Sequence, residues 1–210
     1  MVNLKNSVEI EKLLNEDASL RKDCSLCRES CCNTGKKTGY GIVVCKIGSS
    51  KNGWFATLSP KTGGNPKLDF TIQLMPVPHL THFSQIGSYQ GLGKNYGILF
   101  SRICRAMSII MMKNEGLHSN SADNNNSVPI ATYGKCTTWK EKKEHLHIKI
   151  FPFRGSVGQP YTVDSSFGKK KVFPDKNGEQ FVKMSPVKKE MVDSNRLDQL
   201  AKDLILLLKR

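Results

Sequence analysis

The sequence predicts an α+β fold in which an antiparallel sheet of about five strands packs against one long helix, with a further helix near each end of the chain. The strands are predicted where short segments rich in β-branched and aromatic residues lie between turns that contain glycine, proline or asparagine. The helices are predicted where apolar residues recur three and four positions apart. The predicted strands are 41–46, 54–58, 70–75, 128–133 and 144–151.

The most regular helical pattern begins near Tyr96, and its apolar side chains keep the i, i+3, i+4, i+7 spacing as far as Met111. Gly116 follows, where a glycine commonly ends a helix. The C-terminal segment places leucines on one stripe up to Leu208, after Ser194 as the expected N-cap. A shorter amphipathic helix is predicted over residues 7–20.

The chain is expected to form a single domain, because 210 residues without an internal repeat suit one domain with additions at its ends. Residues 154–190 are rich in glycine, proline and lysine and show little periodicity. They are expected to be irregular and to lie over a site.

The charge balance favours an anionic partner, because 32 Lys and Arg residues against 18 Asp and Glu give a formal net charge of +14. Nucleotides, nucleic acid and an acidic membrane surface all fit such a charge. No run of 18 apolar residues occurs, so no membrane span is expected, and the N-terminal segment lacks the apolar core of a signal peptide. A cytoplasmic location is therefore predicted, where the seven cysteines are better interpreted as thiols or metal ligands than as disulfides.

The candidate reactive side chains lie on the predicted strand 144–151. Its apolar residues from Leu146 to Ile150 alternate with polar ones, and a strand sends alternate side chains to opposite faces. Leu146, Ile148 and Ile150 are therefore expected in the core. His145, His147 and Lys149 would line the other, open face, each about 6–7 Å from the next, and imidazole has the pKa for nucleophilic or acid–base work near neutrality.

This His-x-His-x-Lys pattern, followed by Pro152, resembles the signature strand of the histidine-triad superfamily, which is His-φ-His-φ-His-φ-φ. The segment Met75–Leu80 is similar to the family's Pro-x-x-His element. The resemblance covers about residues 20–155. Residues 156–210, outside it, are expected to form an irregular region and the C-terminal helix. The resemblance implies that His147, the middle histidine, is the nucleophile that attacks the α-phosphate of a nucleotide and forms a nucleotidyl-histidine intermediate.

Lys149 departs from the family pattern, since the third position is histidine in the family's hydrolases and glutamine in its transferase and phosphorylase branch. A fixed positive charge beside His147 would keep its imidazole neutral and nucleophilic. Lys149 is accordingly a second candidate catalytic residue, able to bind phosphate or to donate a proton to the leaving group. The same change could instead mean that only binding is retained.

Cys24 and Cys27 have the C-x₂-C spacing that lets two thiolates reach one tetrahedral zinc ion. The zinc-containing histidine-triad branch that includes the galactose-1-phosphate uridylyltransferases looks similar, and the resemblance implies that His79 and His145 complete a structural zinc site. Two alternatives are open: Cys31 and Cys32 could replace the histidines, or His82 could replace His79.

The loop after the histidine strand would supply the phosphate surroundings, through the guanidinium and backbone N–H groups around Arg154, Ser156 and Gln159. The function that the resemblance implies is nucleotide hydrolysis or nucleotidyl transfer on a nucleotide or dinucleoside polyphosphate. The alternatives are a non-catalytic nucleotide or nucleic-acid binding module with a structural zinc, and an aprataxin-like removal of adenylate from nucleic-acid ends. A homodimer is expected by analogy with the family.

Overall fold

The computed structural model describes residues 24–63, 65–114, 130–135, 145–152, 170–174, 177–178, 180–184 and 190–209. The predicted helix over 7–20 lies outside these residues. The helices are α1 (Ser25–Ser30), α2 (Leu92–Asn114) and α3 (Ser194–Leu208), with a 3-10 helix at Phe83–Ser88. The strands are β1 (Ile42–Ile47), β2 (Trp54–Leu58), β3 (Lys61–Thr62), β4 (Ile72–Pro76), β5 (Ile130–Lys135), β6 (His147–Pro152), β7 (Lys170–Pro174), β8 (Gln180–Met184) and β9 (Glu190–Met191).

Five of these strands form the main sheet in the order β1-β2-β4-β6-β5, and every pairing is antiparallel. The coarse prediction of an α+β fold with an antiparallel sheet is therefore confirmed. Strand β6, which carries most of the histidine pattern, lies between β4 and β5 and is therefore held from both sides.

One face of the sheet packs against α2 and α3 and forms the main core. Fully buried side chains from the sheet, such as Trp54, Leu74 and Ile150, belong to the same cluster as Leu99 of α2 and Leu204 of α3. The Trp54 Nε1–H donates a 2.9 Å hydrogen bond to the carbonyl oxygen of Leu92, which fixes the first residue of α2 against β2. Leu146, Ile148 and Ile150 lie in this core, as their alternation predicted.

The opposite face of the sheet carries α1 and the polar side of the histidine strand. Leu26 of α1 packs with Phe55 of β2 and Met75 of β4 in a small separate cluster. Position 73 of β4 is paired with position 57 of β2 on one side and with position 149 of β6 on the other, so these three positions form one row across the sheet. Paired positions in an antiparallel sheet share a face, so α1 and Lys149 are on the same side of the molecule.

Several boundaries differ from the sequence prediction. The long helix begins at Leu92 and not near Tyr96, because glycines at its start conceal the periodicity, and Gly116 lies outside the described residues. The N-cap of α3 is Asp193, whose carboxylate accepts from the backbone N–H groups of Asn195 and Arg196, so the assignment of Ser194 as the cap was wrong. An ionised carboxylate at this position also has a favourable interaction with the positive end of the helix dipole.

The prediction that residues 154–190 are irregular was wrong for the part that the structure describes. Strands β7 and β8 pair with each other over five residues, and Gly178 adopts a positive φ of 81° between them. The two-residue strand β9 pairs with β3, which lies in the glycine- and proline-containing segment 59–66. Two-residue strands such as β3 and β9 leave little periodicity in a sequence, and their pairing joins positions about 130 residues apart, beyond the reach of any local pattern.

Among the described residues, no helix is both long and apolar enough to cross a membrane.

Candidate metal centre and adjoining histidine strand

The four residues expected to bind a metal come together in the structure. The sulfur atoms of Cys24 and Cys27 and one ring nitrogen each of His79 and His145 all lie within 4.8 Å of one another. Cys24 is the N-cap of α1, and Cys27 lies within that helix. His79 follows β4, and His145 precedes β6. The sheet thus supplies two ligands, and α1, anchored on the sheet by Leu26, supplies the other two.

Three short distances between ligand atoms fit a tetrahedral ion. The Sγ atom of Cys27 is 3.3 Å from Nδ1 of His79 and 3.4 Å from Nδ1 of His145, and the Sγ atom of Cys24 is 3.5 Å from Nδ1 of His145. Zinc bonds of about 2.3 Å to sulfur and about 2.0–2.1 Å to nitrogen in a tetrahedron separate the ligand atoms by about 3.4–3.8 Å. The described Cys₂His₂ cluster could therefore hold a metal ion with little rearrangement.

The ring of His145 is set in the orientation that a metal ligand needs. Its Nε2 lies 2.8 Å from the carbonyl oxygen of Pro76, and because a carbonyl oxygen can only accept, Nε2 carries the proton. In the neutral ring Nδ1 then has the lone pair, and Nδ1 is the atom that faces both thiols. A carbonyl acceptor on the far nitrogen is the common arrangement behind metal-bound histidines, where it fixes the tautomer.

His79 is held differently. Its side chain is 5% exposed, and its Nε2 is buried with no hydrogen-bond partner among the described residues. The ring is packed edge-on against that of His145, with centroids 5.0 Å apart. Its other nitrogen, Nδ1, lies 3.3 Å from the sulfur of Cys27, so Nδ1 is the atom that would bind the metal.

The thiol of Cys24 is held in the form that binds a cation. A hydrogen bond from the Cys27 thiol lowers the pKa of Cys24 to about 2, and hydrogen bonds from His145 and His79 add to this lowering, against burial, which raises the pKa. The backbone N–H of Cys27 also points at the Cys24 sulfur, at 3.4 Å. Cys24 is therefore a thiolate at neutral pH, and the thiolate is the form that coordinates metals.

The structure favours Cys24, Cys27, His79 and His145 over the two alternative ligand sets. Cys31 is exposed, and its sulfur lies 3.7 Å from the carbonyl oxygen of Cys27, while the sulfur of Cys32 lies 3.9 Å from the carbonyl oxygen of Arg28. The ring of His82 caps the 3-10 helix, since its Nδ1 accepts from the backbone N–H of Ser84. None of these three residues belongs to the cluster.

The exposure of the histidine strand differs from the expectation of three nitrogen side chains on one open face. His145 is only 2% exposed, because its ring is directed into the metal cluster. His147 and Lys149 are half-buried. The open part of this face thus begins at His147.

His147 is fixed by the backbone of its neighbour in the cluster. Its Nδ1 lies 3.2 Å from the carbonyl oxygen of His145, so Nδ1 donates a proton to that oxygen. In the neutral ring the lone pair is then on Nε2. His145 therefore contributes its side chain to the metal cluster, and its backbone carbonyl sets the tautomer of His147.

The register shows polar positions beside His147 and Lys149 that the sequence pattern did not indicate. Position 149 lies between Gln73 of β4 and Tyr133 of β5, and position 147 pairs with Lys135 of β5. No local signal marks these residues, because strand pairing alone brings them together. The predicted phosphate ligands Arg154, Ser156 and Gln159 lie outside the described residues.

Comparisons with family models, with curated proteins and with solved structures found no match to this chain. The site must therefore be interpreted from its own geometry and from the resemblance of its motifs.

Proposed function

We propose that this chain is a zinc-binding protein of the histidine-triad type, and that it hydrolyses or transfers a nucleotidyl group at the α-phosphate of a nucleotide or dinucleoside polyphosphate through His147. One observation carries the proposal. Nδ1 of His147 is held by the carbonyl oxygen of His145 at 3.2 Å, which places the lone pair on Nε2 of the histidine that matches the family's nucleophile.

The metal has a structural role in this proposal. Cys24, Cys27, His79 and His145 would hold zinc, which joins α1 to the ends of β4 and β6. A closed four-ligand zinc site of this kind stabilises a fold and leaves no position for substrate. The chemistry is therefore assigned to the chain's own residues.

The reaction has two steps. Nε2 of His147 attacks the α-phosphorus, a nitrogen–phosphorus bond forms, and the bond from phosphorus to the leaving oxygen breaks with its electron pair on that oxygen. The ammonium group of Lys149 stabilises the charge of the transferring phosphoryl group. The oxygen of water, or of an acceptor hydroxyl group, then attacks the same phosphorus and gives its proton to solvent, while the nitrogen–phosphorus bond breaks and its electron pair returns to Nε2.

The environment of the site supports this assignment. The lysine at position 149, two residues along the strand from His147, raises the local positive potential, which favours a phosphate ligand. The formal charge of +14 favours polyanionic ligands in general.

A second candidate function is nucleotide or nucleic-acid binding without catalysis, on a fold that retains the zinc. The observation in its favour is Lys149 itself, which stands where the family's enzymes have histidine or glutamine. A related variant is the removal of adenylate from nucleic-acid ends. Steeply salt-dependent affinity for oligonucleotides would favour these alternatives over action on free nucleotides.

The test is His147→Ala, compared with wild type after incubation with a panel of nucleoside di- and triphosphates and dinucleoside polyphosphates. Mass spectrometry of the intact protein should show a nucleotidyl adduct on wild type and none on the variant. Turnover should fall by about a thousandfold or more, as expected when a nucleophile is removed, while zinc content stays the same. His82→Ala is the matched control, since this histidine caps the 3-10 helix outside the cluster. Full turnover by His147→Ala, or no turnover of any substrate by wild type, would contradict the catalytic proposal.

A further inference from the structure

The outward face of α2 is positively charged along most of its length. The helix has 23 residues without an aspartate or glutamate, and its basic residues are all exposed: Lys94, Arg102, Arg105 and Lys113. At 3.6 residues per turn these side chains fall within an arc of about 100°, and at 1.5 Å per residue they extend over about 28 Å. We call these four residues the basic stripe.

The charge of the basic stripe is not balanced by the residues around it. None of its four side chains makes a hydrogen bond or a salt bridge with a residue that the structure describes. The acidic residues of the neighbouring helix α3 have other partners, since Asp198 pairs with Lys37 at 2.8 Å and Asp203 accepts from Gln199 at 2.9 Å. Unbalanced charges of one sign along a rigid element attract a ligand with many charges of the opposite sign.

The apolar face of α2 is already occupied by the core. Leu99, Ile103 and Met107 are fully buried against the sheet and α3. An amphipathic helix that lies in a membrane surface needs a free apolar face to insert. Of the large hydrophobic residues described in α2, Ile109 is the exposed one, at 38%. The basic stripe therefore suits a hydrophilic polyanion better than a lipid surface.

The aromatic residues of α2 are committed to packing within the protein. The ring centroid of Tyr96 lies 5.0 Å from that of Trp54 in β2 and 5.5 Å from that of Phe100. Binding of single-stranded nucleic acid uses aromatic side chains on which the bases stack. The backbone of a duplex is instead bound by lysine, arginine and small hydroxyl side chains, and the exposed Ser101 lies within the arc of the stripe.

We propose that the basic stripe of α2 binds the phosphodiester backbone of a nucleic-acid duplex without reading its base sequence. Duplexes of DNA and of RNA both present this backbone. The stripe lies on the helical side of the sheet, whereas α1, the metal cluster and His147 belong to the other side. The surface is thus separate from the proposed catalytic site, and the inference does not rest on the proposed function.

The test measures the binding of DNA and RNA duplexes of about 20 base pairs by fluorescence anisotropy, between about 50 and 200 mM salt. Four phosphate contacts predict that log K falls with log salt with a slope of about −3.6, a loss of about a hundredfold over this range. The double variant Arg102→Gln/Arg105→Gln should reduce the slope to about −1.8 and weaken binding at the lowest salt by about tenfold or more. Glutamine keeps a helix propensity close to that of arginine.

Two further double variants serve as controls. Arg28→Gln/Lys36→Gln removes the same charge from two exposed residues, of which Arg28 is on α1 at the other face of the sheet, and it should keep the slope of wild type. Arg102→Lys/Arg105→Lys keeps the charge and should keep most of the affinity, whereas a merely structural role of the two arginines would be lost in both substitutions. Thermal unfolding shows whether each variant is folded.

Binding of either duplex with the expected loss in Arg102→Gln/Arg105→Gln supports the proposal, and the tighter duplex identifies the nucleic acid. The proposal is overturned if neither duplex binds, if the Arg28→Gln/Lys36→Gln control weakens binding equally, or if single strands of the same length bind more tightly. Binding to vesicles of phosphatidylserine and phosphatidylcholine that needs Arg102 and Arg105, without duplex binding, would also overturn it in favour of a membrane. His147→Ala should bind duplexes as wild type does, so this proposal and the catalytic one fail or stand separately.

Discussion

Replacing Cys24 with serine should remove the metal site without removing the start of α1. Cys24 is both a member of the Cys₂His₂ cluster and the N-cap of the helix, where its sulfur accepts from the backbone N–H of Cys27. Serine is among the preferred N-cap residues, so the capping interaction can be retained. Neutral serine cannot replace the thiolate as a zinc ligand under ordinary conditions. The substitution therefore separates the two roles of this residue.

The expected magnitude follows from the linkage between metal binding and folding. A ligand that binds only the folded state stabilises it by about 2.7 kcal/mol when its free concentration is 100 times its Kd. For a domain of this size, each kcal/mol changes Tm by about 2–4 °C. Wild type with zinc at that concentration should therefore unfold about 5–11 °C higher than the same protein after treatment with a chelator.

The assay is thermal unfolding by circular dichroism, with and without chelator, combined with metal analysis of protein purified without added zinc. Wild type should contain about one zinc ion per chain, and Cys24→Ser should contain much less and show no response to chelator. Cys31→Ser is the matched control, since its sulfur is exposed and lies outside the cluster. It should keep both the metal and the chelator response.

Two results would refute this reasoning. One is a metal-free wild type whose Tm does not change when zinc is added or removed. The other is an equal loss of metal in Cys24→Ser and Cys31→Ser, which would show that zinc binds to the cysteine-rich segment without using the geometry of the cluster.

Two further predictions concern the other histidines and thiols. His79→Ala should lose zinc, whereas His82→Ala should keep zinc and lose only the helix cap. By analogy with other N-caps, loss of this cap should lower the free energy of unfolding by about 0.5–2 kcal/mol. Equal zinc content in the two variants would contradict the assignment of His79. Burial raises the pKa of Cys45 and of Cys104, so at pH 7.5 both thiols should react with iodoacetamide about tenfold or more slowly than the exposed Cys31. Peptide mapping over a time course measures the three reaction rates. Comparable rates at the three cysteines would contradict this prediction.

The periodic parts of the fold could be predicted from the sequence. The strand Trp54–Leu58 has the predicted bounds, and α2 covers the predicted apolar stripe. The core positions of Leu146, Ile148 and Ile150 follow from alternation alone. Strands β3, β7, β8 and β9 were not predicted. Strands β3 and β9 have only two residues each, and β7 and β8 lie in a segment rich in lysine, glycine and proline that hides their alternation.

The candidate site was predicted in part. The C-x₂-C spacing identified Cys24 and Cys27, and the resemblance added His79 and His145, which the structure brings to the same cluster. The burial of His145 was not foreseen. Its alternation with His147 indicated an open face, but its place just before β6 directs its ring to the thiols and to the carbonyl oxygen of Pro76.

By itself, then, the sequence determined those features that depend on neighbours within a few residues: the amphipathic stripe of α2, the alternation of β6, and the C-x₂-C spacing of two cysteines. The tertiary structure decided which histidine faces the thiols, because the chain after β4 directs His79 to the cluster and uses His82 as a helix cap. It also decided that Lys135 lies opposite His147. The physical reason is the same in both cases: strand register and loop direction arise from contacts between distant segments, and a shift of one residue would place a different side chain at each of these positions.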